Sequence, residues 1–389
     1  MSQNEFKIPS SKIAVVGVGG GGGNALKRLV ANKFTGVDFI ALNTDMQDLQ
    51  DLNKSSGSIY CMQIGEKLTQ GLGAGANPEV GQRAAEESRE MIKAILQNAN
   101  LVIITAGMGK GTGTGASPIV ASIAKELGKL VVAVVTKPFY LEGKHRIVNA
   151  DIGLQNLAKV VDSYIVVSNE KLVSLSNRAS MSEAFEYADG VLRQCITGIS
   201  DIILHTQTLN IDFADLCTVL RGMGRAYLGI GSGTGDKRVM NAVKEAVGIT
   251  LQEIKINNAT SVMLNVKAKR DVTLEEIDKA AVLVKEVVHK DANIIFGFDF
   301  RDDLPHDVEI MLIATGLDQG NKVKAPETTS NQGSDYFEML TKAPPKPEPT
   351  GIMNEPRTGM TSSRVQMEDD DDPDIPAWLR ETRRNRDRN

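Results

Sequence analysis

Short apolar runs, rich in β-branched residues, alternate with longer amphipathic stretches through the first half of the chain. Continuous runs of this kind are typical of strands buried on both faces of a parallel sheet. The runs lie at 12–16, 38–42, 101–105, 130–136 and 164–168, and helical periodicity occurs between them at 23–33, 79–99 and 117–129. This alternation predicts a doubly wound α/β domain at 12–180.

A longer helical pattern follows the first domain. Apolar residues recur at helical spacing for about six turns over 181–204, which predicts a central helix inside a joining segment, 181–221. The next segment, 222–317, contains two helical patterns and three or four strand-like runs. These predict a smaller α+β domain.

The two ends of the chain have a different character. Residues 1–11 are polar and predict a flexible N-terminus. Residues 318–367 carry many Pro, Gly, Ser, Thr, Asn and Lys and no sustained apolar period, which is typical of a disordered linker. The last segment, 368–389, begins with an acidic run and ends in arginines.

The composition narrows the class of protein. Hydrophobic residues make up 41% of the chain and charged residues 24%, which is ordinary for a soluble globular protein. The net charge of −5 argues against nucleic acid as a partner, because phosphate binding needs a basic surface. No apolar stretch approaches the roughly 20 residues of a membrane span, and the N-terminus has no signal core. We expect a cytoplasmic protein without direct membrane insertion.

Two glycine-rich loops carry the candidate chemistry. The first, GVGGGGGNA at 17–25, follows the first predicted strand and fits GxGxxG, which alone would equally suit a dinucleotide-binding fold. A glycine turn for tight packing is the structural alternative. The second, within TAGMGKGTGTGASP at 105–118, follows a later strand of the same sheet. Both loops should therefore open at the carboxyl edge, where ligands bind. A further polar loop at 72–81 adds to an arrangement that favours a polyphosphate.

The lysine of the second loop does not make it a Walker P-loop. That motif requires a glycine where Ile104 stands and Ser or Thr where Gly111 stands. Two alternatives remain for Lys110: it points toward solvent or a neighbouring subunit, or it reaches a terminal phosphate and alters hydrolysis. If this position needs a positive φ, lysine would also strain the backbone.

Two pairs of residues later in the chain have both a functional and a structural interpretation. Phe185 and Asp189 share one helix face, so that they could stack on guanine and accept its N–H groups, or could be a core Phe beside a solvated Asp. Asp212 and Asp215 could orient water or a cation for phosphoryl hydrolysis. The same pair could simply cap a helix.

The order of these motifs resembles the FtsZ family of bacterial tubulin-like division GTPases, over roughly 12–317 and the terminal peptide. The matching segments are GVGGGGGNA, ALNTD (41–45), GLGAGANPEVG (71–81), GMGKGTGTGASP (107–118), KPFYLEGKHR (137–146), the AD of EYADGVL, NIDFAD (210–215) and DPDIPAWLR. The resemblance implies a tubulin-like fold with a disordered C-terminal tail.

The resemblance also implies a set of functional residues. GTP or GDP would be bound by Gly20, Gly21, Gly22, Gly23, Asn24, Gly111, Thr112, Gly113, Glu142, Arg146, Phe185 and Asp189. Mg²⁺ would be held mainly through the phosphates, without a site of fixed protein ligands. Asn210, Asp212 and Asp215 would act as catalytic residues on the GTP of the next subunit, so that hydrolysis would require head-to-tail polymerisation.

The terminal peptide carries the expected partner site. An acidic, solvated segment with a few apolar residues suits a peptide that folds in a partner's groove, although an inert end is the alternative. By resemblance the partners are membrane-tethering division proteins such as FtsA, at the midcell division ring. The contact residues would be Asp374, Ile375, Pro376, Trp378 and Leu379.

Three segments depart from the family pattern. Lys110 stands in place of a usual Gly, KAKRD (267–271) replaces a Gly-Gly turn, and HTQT (205–208) precedes the acidic loop in place of a segment containing Gly. Two other functions stay open from the sequence. One is a dinucleotide-dependent oxidoreductase, which predicts one glycine fingerprint and a catalytic residue in the second domain; neither the number of glycine loops nor residues 222–317 favour it. The other is a scaffold that binds GTP but hydrolyses it poorly.

Overall fold

The computed structural model describes residues 12–30, 36–170, 181–204, 207–248 and 256–317. The N-terminal segment, the linker and the terminal peptide lie outside the described residues, as do the side chains of Phe185 and Asp189. None of the described helices is both long and apolar enough to cross a bilayer.

A seven-stranded sheet forms the first domain. Its strands are β1 (Ile13–Val18), β2 (Val37–Asn43), β3 (Ile59–Gln63), β4 (Leu101–Gly107), β5 (Leu130–Lys137), β6 (Ser163–Ser168) and β7 (Gly224–Arg225). They pair in the order β3-β2-β1-β4-β5-β6-β7, and all the pairs are parallel. The predicted doubly wound parallel sheet is thereby confirmed.

Helices cover both faces of this sheet. They are α1 (Gly19–Val30), α2 (Met46–Ser55), α3 (Glu66–Thr69), α4 (Pro78–Glu87), α5 (Arg89–Leu96), α6 (Thr112–Glu126) and α7 (Lys144–Ala158), with a 3₁₀ turn at Tyr140–Glu142. Alternate strand residues enter different cores: Val15 packs in the cluster that includes α1, and Val16 in the cluster that includes α6. The strands are buried on both faces, which explains their continuous apolar runs.

The central helix, α8 (Met181–Leu204), runs back along the sheet. The chain leaves the carboxyl edge after β6, and α8 ends beside Gly36, where a Cβ on that glycine would lie 2.8 Å from Leu204 Cδ2. Gly36 directly precedes β2 and therefore marks the amino edge. With 24 residues, α8 is about 36 Å long. A shorter helix, α9 (Phe213–Leu220), follows it.

In its described residues, the second domain is a four-stranded mixed sheet with two helices. Its elements are β8 (Tyr227–Gly233), α10 (Arg238–Gly248), β9 (Ser261–Ala268), α11 (Leu274–Val287), β10 (Asn293–Phe300) and β11 (Val308–Thr315). The strand order is β10-β9-β11-β8. An ion pair of 2.8 Å between Lys267 and Asp201 joins this sheet to α8, so the first residue of KAKRD contacts the central helix.

Two local features differ from the sequence prediction. The helix predicted at 79–99 breaks at Ser88, whose Oγ accepts a hydrogen bond of 3.0 Å from the Gly65 backbone N–H. β8 lacks an apolar run because its glycines let α10 pack directly on it. A Cβ on Gly231, for example, would overlap the carbonyl oxygen of Ala242.

Candidate active site

The two glycine loops meet at the centre of the large sheet. β1 and β4 are neighbours, and the chain proceeds from them to opposite sides of the sheet. This is the switch point at which doubly wound folds form a crevice beyond their carboxyl edge. The loops are close enough that a Cβ on Gly19 would lie 2.9 Å from the Gly113 backbone nitrogen. The sequence prediction that both loops open at one edge is therefore confirmed.

Each loop leads into a helix whose first turn carries no competing anion, although the start of α1 is exposed and Gly111, Thr112 and Gly113 at the start of α6 are buried. Neither α1 nor α6 has an acidic residue in its first turn, and Gly111, the N-cap of α6, provides no side-chain cap. The first backbone N–H groups of a helix lack partners within the helix and favour negative charge. Gly20 and Gly21 are exposed at the start of α1. Two such termini side by side suit a polyphosphate.

The glycines of these loops have different structural requirements. Gly22 is buried, and a Cβ there would lie 2.5 Å from the Thr105 carbonyl oxygen, so it permits close packing of α1 on the sheet. Gly115 serves the contact between α6 and α4, since a Cβ would overlap the Pro78 carbonyl oxygen. GTP binding by the Gly22 amide stays a prediction.

The ALNTD segment supports the second loop. The hydroxyls of Thr44 and Thr112 are hydrogen-bonded at 2.7 Å. Asn43 Oδ1 accepts a bond of 2.9 Å from the Thr44 backbone N–H, and Asp45 caps α2. This network fixes Thr112 where the chain enters α6.

Glu142 and Arg146 lie beside the second loop and pair with each other. Arg146 Nη1 donates to Glu142 Oε2 at 2.6 Å, and the other carboxylate oxygen accepts from the Phe139 backbone N–H at 3.1 Å. A Cβ on Gly109 would lie 2.8 Å from the Arg146 carbonyl oxygen. The structure thus brings both residues to the crevice.

Lys110 is exposed and imposes no left-handed strain. The positive φ of this turn, 111°, belongs to Gly109, and Lys110 is not among the described non-glycine residues with a positive φ. The expectation of strain at Lys110 is therefore wrong. Its exposure is compatible with both alternatives for the ammonium group.

Two buried polar atoms near this edge were not selected from the sequence. Thr105 Oγ1 in β4 and Asn169 Oδ1 after β6 have no hydrogen-bond partner among the described residues. Buried polar atoms are nearly always paired, so these two suit a site for a polar ligand. The available signal was the position of Asn169, a polar residue directly after a buried strand.

The acidic loop adopts the capping arrangement. Asp212 Oδ1 accepts from the Asp215 backbone N–H at 2.7 Å, and Asp215 Oδ2 accepts from the Asp212 N–H at 3.2 Å. Burial raises the pKa of Asp215, and the neighbouring Asp212 carboxylate raises it further. Because a raised pKa makes an ionised carboxylate a stronger base, capping is compatible with a catalytic role.

The second domain anchors this loop. The backbones of Leu209 and Phe298 exchange hydrogen bonds of 2.8 and 3.1 Å, and Asp299 Oδ1 accepts from the Thr208 N–H at 3.3 Å. Asn210 Oδ1 accepts from the Gln207 N–H at 3.3 Å while Asn210 remains exposed. The described part of HTQT is thus held by β10.

The acidic loop and the glycine loops lie at opposite edges of the sheet. The carbonyl of Leu220, at the end of α9, accepts a 2.6 Å hydrogen bond from Ser163, the first residue of β6. Asp215 is five residues before Leu220, about 8 Å along the helix. β6 alone, with six residues, separates the two edges by about 20 Å. The acidic loop of one chain therefore does not reach its own glycine loops.

Comparison with known proteins agrees with this architecture. Residues 12–177 match the GTPase domain of the Tubulin/FtsZ family, and residues 224–318 match the C-terminal domain of the FtsZ family. The FtsZ dimer of M. jannaschii is 40% identical, covering 79% of this chain and 89% of that one, with a TM-score of 0.73. CetZ2 from Haloferax volcanii, described as a GTPgS-bound protofilament, is 20% identical, and the alignment covers 85% of this chain and 97% of that one with a TM-score of 0.66. At this identity the similarity shows the fold alone.

The fold and the paired loops define a tubulin-like GTPase, and this protein binds and hydrolyses GTP. The chain belongs to the FtsZ family. The dinucleotide-dependent oxidoreductase is accordingly rejected.

Proposed function

We propose that this GTPase assembles head to tail and that its active site is completed only between two copies. The observation that carries the proposal is the placement of the acidic loop and the glycine loops at opposite edges of one sheet. A contact that joins unlike surfaces repeats without closing and produces a filament. The filament would form the division ring of bacterial cytokinesis at midcell, in the cytoplasm.

The roles of the loop residues follow from their chemistry. The phosphates of GTP would be held by the amides of Gly20–Gly23, by Asn24 and by the amides of Gly111–Gly113, with Thr112 fixed by Thr44. Glu142 and Arg146 would contact the ribose and phosphates. GTP with Mg²⁺ supplies the phosphoanhydride bond that is broken.

The guanine base and the attacking water would be positioned by two different copies of the protein. Phe185 would stack on guanine, and the carboxylate of Asp189 would accept from its N1–H and amino group. Asn210, Asp212 and Asp215 of the next copy would orient the water, with Asp215 as the stronger base because its pKa is raised.

Exposed apolar side chains at the carboxyl edge support self-association. Leu72, in the loop before α4, is 84% exposed, and Tyr140 and Leu141, between β5 and α7, are each 68% exposed. Large apolar residues gathered at one edge are typical of an interaction surface. The M. jannaschii relative at 40% identity is described as a dimer, which agrees with this interpretation.

The terminal peptide would connect the filament to the membrane through a partner. Its apolar residues stand in an acidic, solvated segment and would bind a groove of a tethering protein such as FtsA. The residues proposed for this contact are Asp374, Ile375, Pro376, Trp378 and Leu379.

The dependence of turnover on protein concentration tests the shared active site. We expect the GTP turnover per chain to be near zero when dilute and to rise above a threshold concentration. Light scattering should appear at the same threshold with GTP, and not in the GDP control. Turnover strictly proportional to concentration, without GTP-dependent scattering, would reject the proposal. Scattering with GTP but no turnover would mean that assembly alone does not complete the active site, and would also count against the proposal.

A further inference from the structure

The carboxylate of Asp48 lies against the first glycine loop. A Cβ on Gly20 would be 3.0 Å from Asp48 Oδ2, so this oxygen contacts the loop itself. Both residues line a cavity of about 220 Å³ between α1 and α2, together with Asn24, Asn43 and Lys27. Asp48 therefore faces the first glycine loop, one of the two loops at which phosphates are proposed to bind.

Local hydrogen bonds hold this carboxylate in place. Asn43 Nδ2 donates to Asp48 Oδ2 at 3.1 Å, and the Asp48 backbone N–H donates to Asp45 Oδ1 at 3.3 Å. Asp48 is thus fixed in the first turn of α2 by two residues of ALNTD. Its side chain is exposed, so a ligand can approach it.

The charge of Asp48 opposes the binding of a second anion at the first glycine loop. The exposed amides of Gly20 and Gly21 attract anions, whereas a carboxylate beside them repels an anion. Lys27 is the cationic side chain on the cavity wall, but Asp51 also lines it, so the described wall carries more negative than positive charge. A divalent cation between carboxylate and phosphate reverses the repulsion, and Mg²⁺ is usually held by one or two carboxylates together with phosphates.

We propose that Asp48 is a positioning residue that makes GTP binding depend on a divalent cation. Its carboxylate holds Mg²⁺ against phosphates bound by the first glycine loop, so the cation is held by the protein as well as by the nucleotide. The inference rests on the proposed placement of GTP at the glycine loops. The described residues contain no cluster of three or more His, Cys, Asp or Glu that could hold a metal by itself. In this proposal, Asp48 is a single protein ligand that acts together with the phosphates.

The variant Asp48→Asn tests the charge separately from the shape. Its amide oxygen can still accept from Asn43 Nδ2, so the loop contact is kept and only the charge is lost. The Kd of a fluorescent, non-hydrolysable GTP analogue would be measured with Mg²⁺ and with EDTA, below the assembly threshold. We expect the ratio of the two Kd values to fall by roughly tenfold in the variant, because binding improves in EDTA and weakens in Mg²⁺.

Asp51→Asn provides the matched control. Asp51 is one turn further along α2, lines the same cavity and pairs with Lys54 at 3.5 Å. An unchanged Kd ratio in Asp48→Asn, or an equal fall in Asp51→Asn, would overturn the inference, provided that thermal melts show folded variants. A different result would show that GTP does not bind at the glycine loops at all. In that case a folded Gly113→Ala protein would bind the analogue as tightly as the wild type does.

Discussion

Replacement of Asp215 by Asn is expected to remove GTP turnover and to leave GTP binding intact. The amide keeps the capping hydrogen bond from the Asp212 N–H but cannot act as a base, and loss of a general base costs roughly a hundredfold or more. GTP affinity should change less than about twofold, because Asp215 lies at the sheet edge opposite the glycine loops. Initial-rate turnover and equilibrium binding, measured on the same preparation, check both parts.

Glu275→Gln is the appropriate control for this variant. Glu275 is also a carboxylate in the first turn of a helix, but it belongs to α11 and pairs with Lys279 at 2.9 Å. Unchanged turnover in folded Asp215→Asn would mean that capping is the whole role of Asp215. Loss of GTP binding would mean that Asp215 belongs to its own chain's nucleotide site.

A methyl group added at Gly113 is expected to weaken GTP binding strongly. The Cβ would lie 2.7 Å from the Gly107 carbonyl oxygen and 3.3 Å from that of Val18, so it separates the two loops. Overpacking of this kind costs about 1–3 kcal/mol, which corresponds to a loss of affinity of roughly five- to 150-fold if it falls on the bound geometry. Isothermal titration with GTP and Mg²⁺ measures the loss.

Gly57→Ala controls for the added methyl. Gly57 is in the same domain, no atom lies within 4 Å of its Cβ position, and its φ is not positive. We expect this variant to bind GTP normally. Normal GTP affinity in a folded Gly113→Ala protein would show that the two loops do not form the site together.

The sequence predicts the strands of the large sheet well because burial on both faces leaves continuous apolar runs. It does not reveal β8, because the glycines that admit α10 interrupt the apolar pattern. The break at Ser88 is also hidden, because it depends on a hydrogen bond to Gly65, far away in the chain. Contacts between distant segments decide both cases.

The candidate site likewise contains features that the sequence predicts and features that depend on contacts between distant segments. Both glycine loops are visible from the sequence, because each follows a buried strand. The separation of the acidic loop is implied only by the family resemblance and not by the residue pattern, since it depends on the path of α8 and on the contact of Leu220 with Ser163. The sequence also cannot distinguish a glycine such as Gly22, required by a neighbouring carbonyl, from an exposed one such as Gly20. The function of each glycine depends on what lies opposite it.

Mixing the two inactive variants tests the shared site most directly. Asp215→Asn retains its glycine loops, and Gly113→Ala retains its acidic loop. A complete site therefore forms wherever the glycine loops of an Asp215→Asn copy meet the acidic loop of a Gly113→Ala copy. With random order in a 1:1 filament, roughly a quarter of the contacts would be complete. We predict that the mixture regains turnover to about that fraction of the wild-type rate, although each variant alone has almost none. A mixture that stays inactive while co-sedimentation finds both variants in the same filaments would contradict the account.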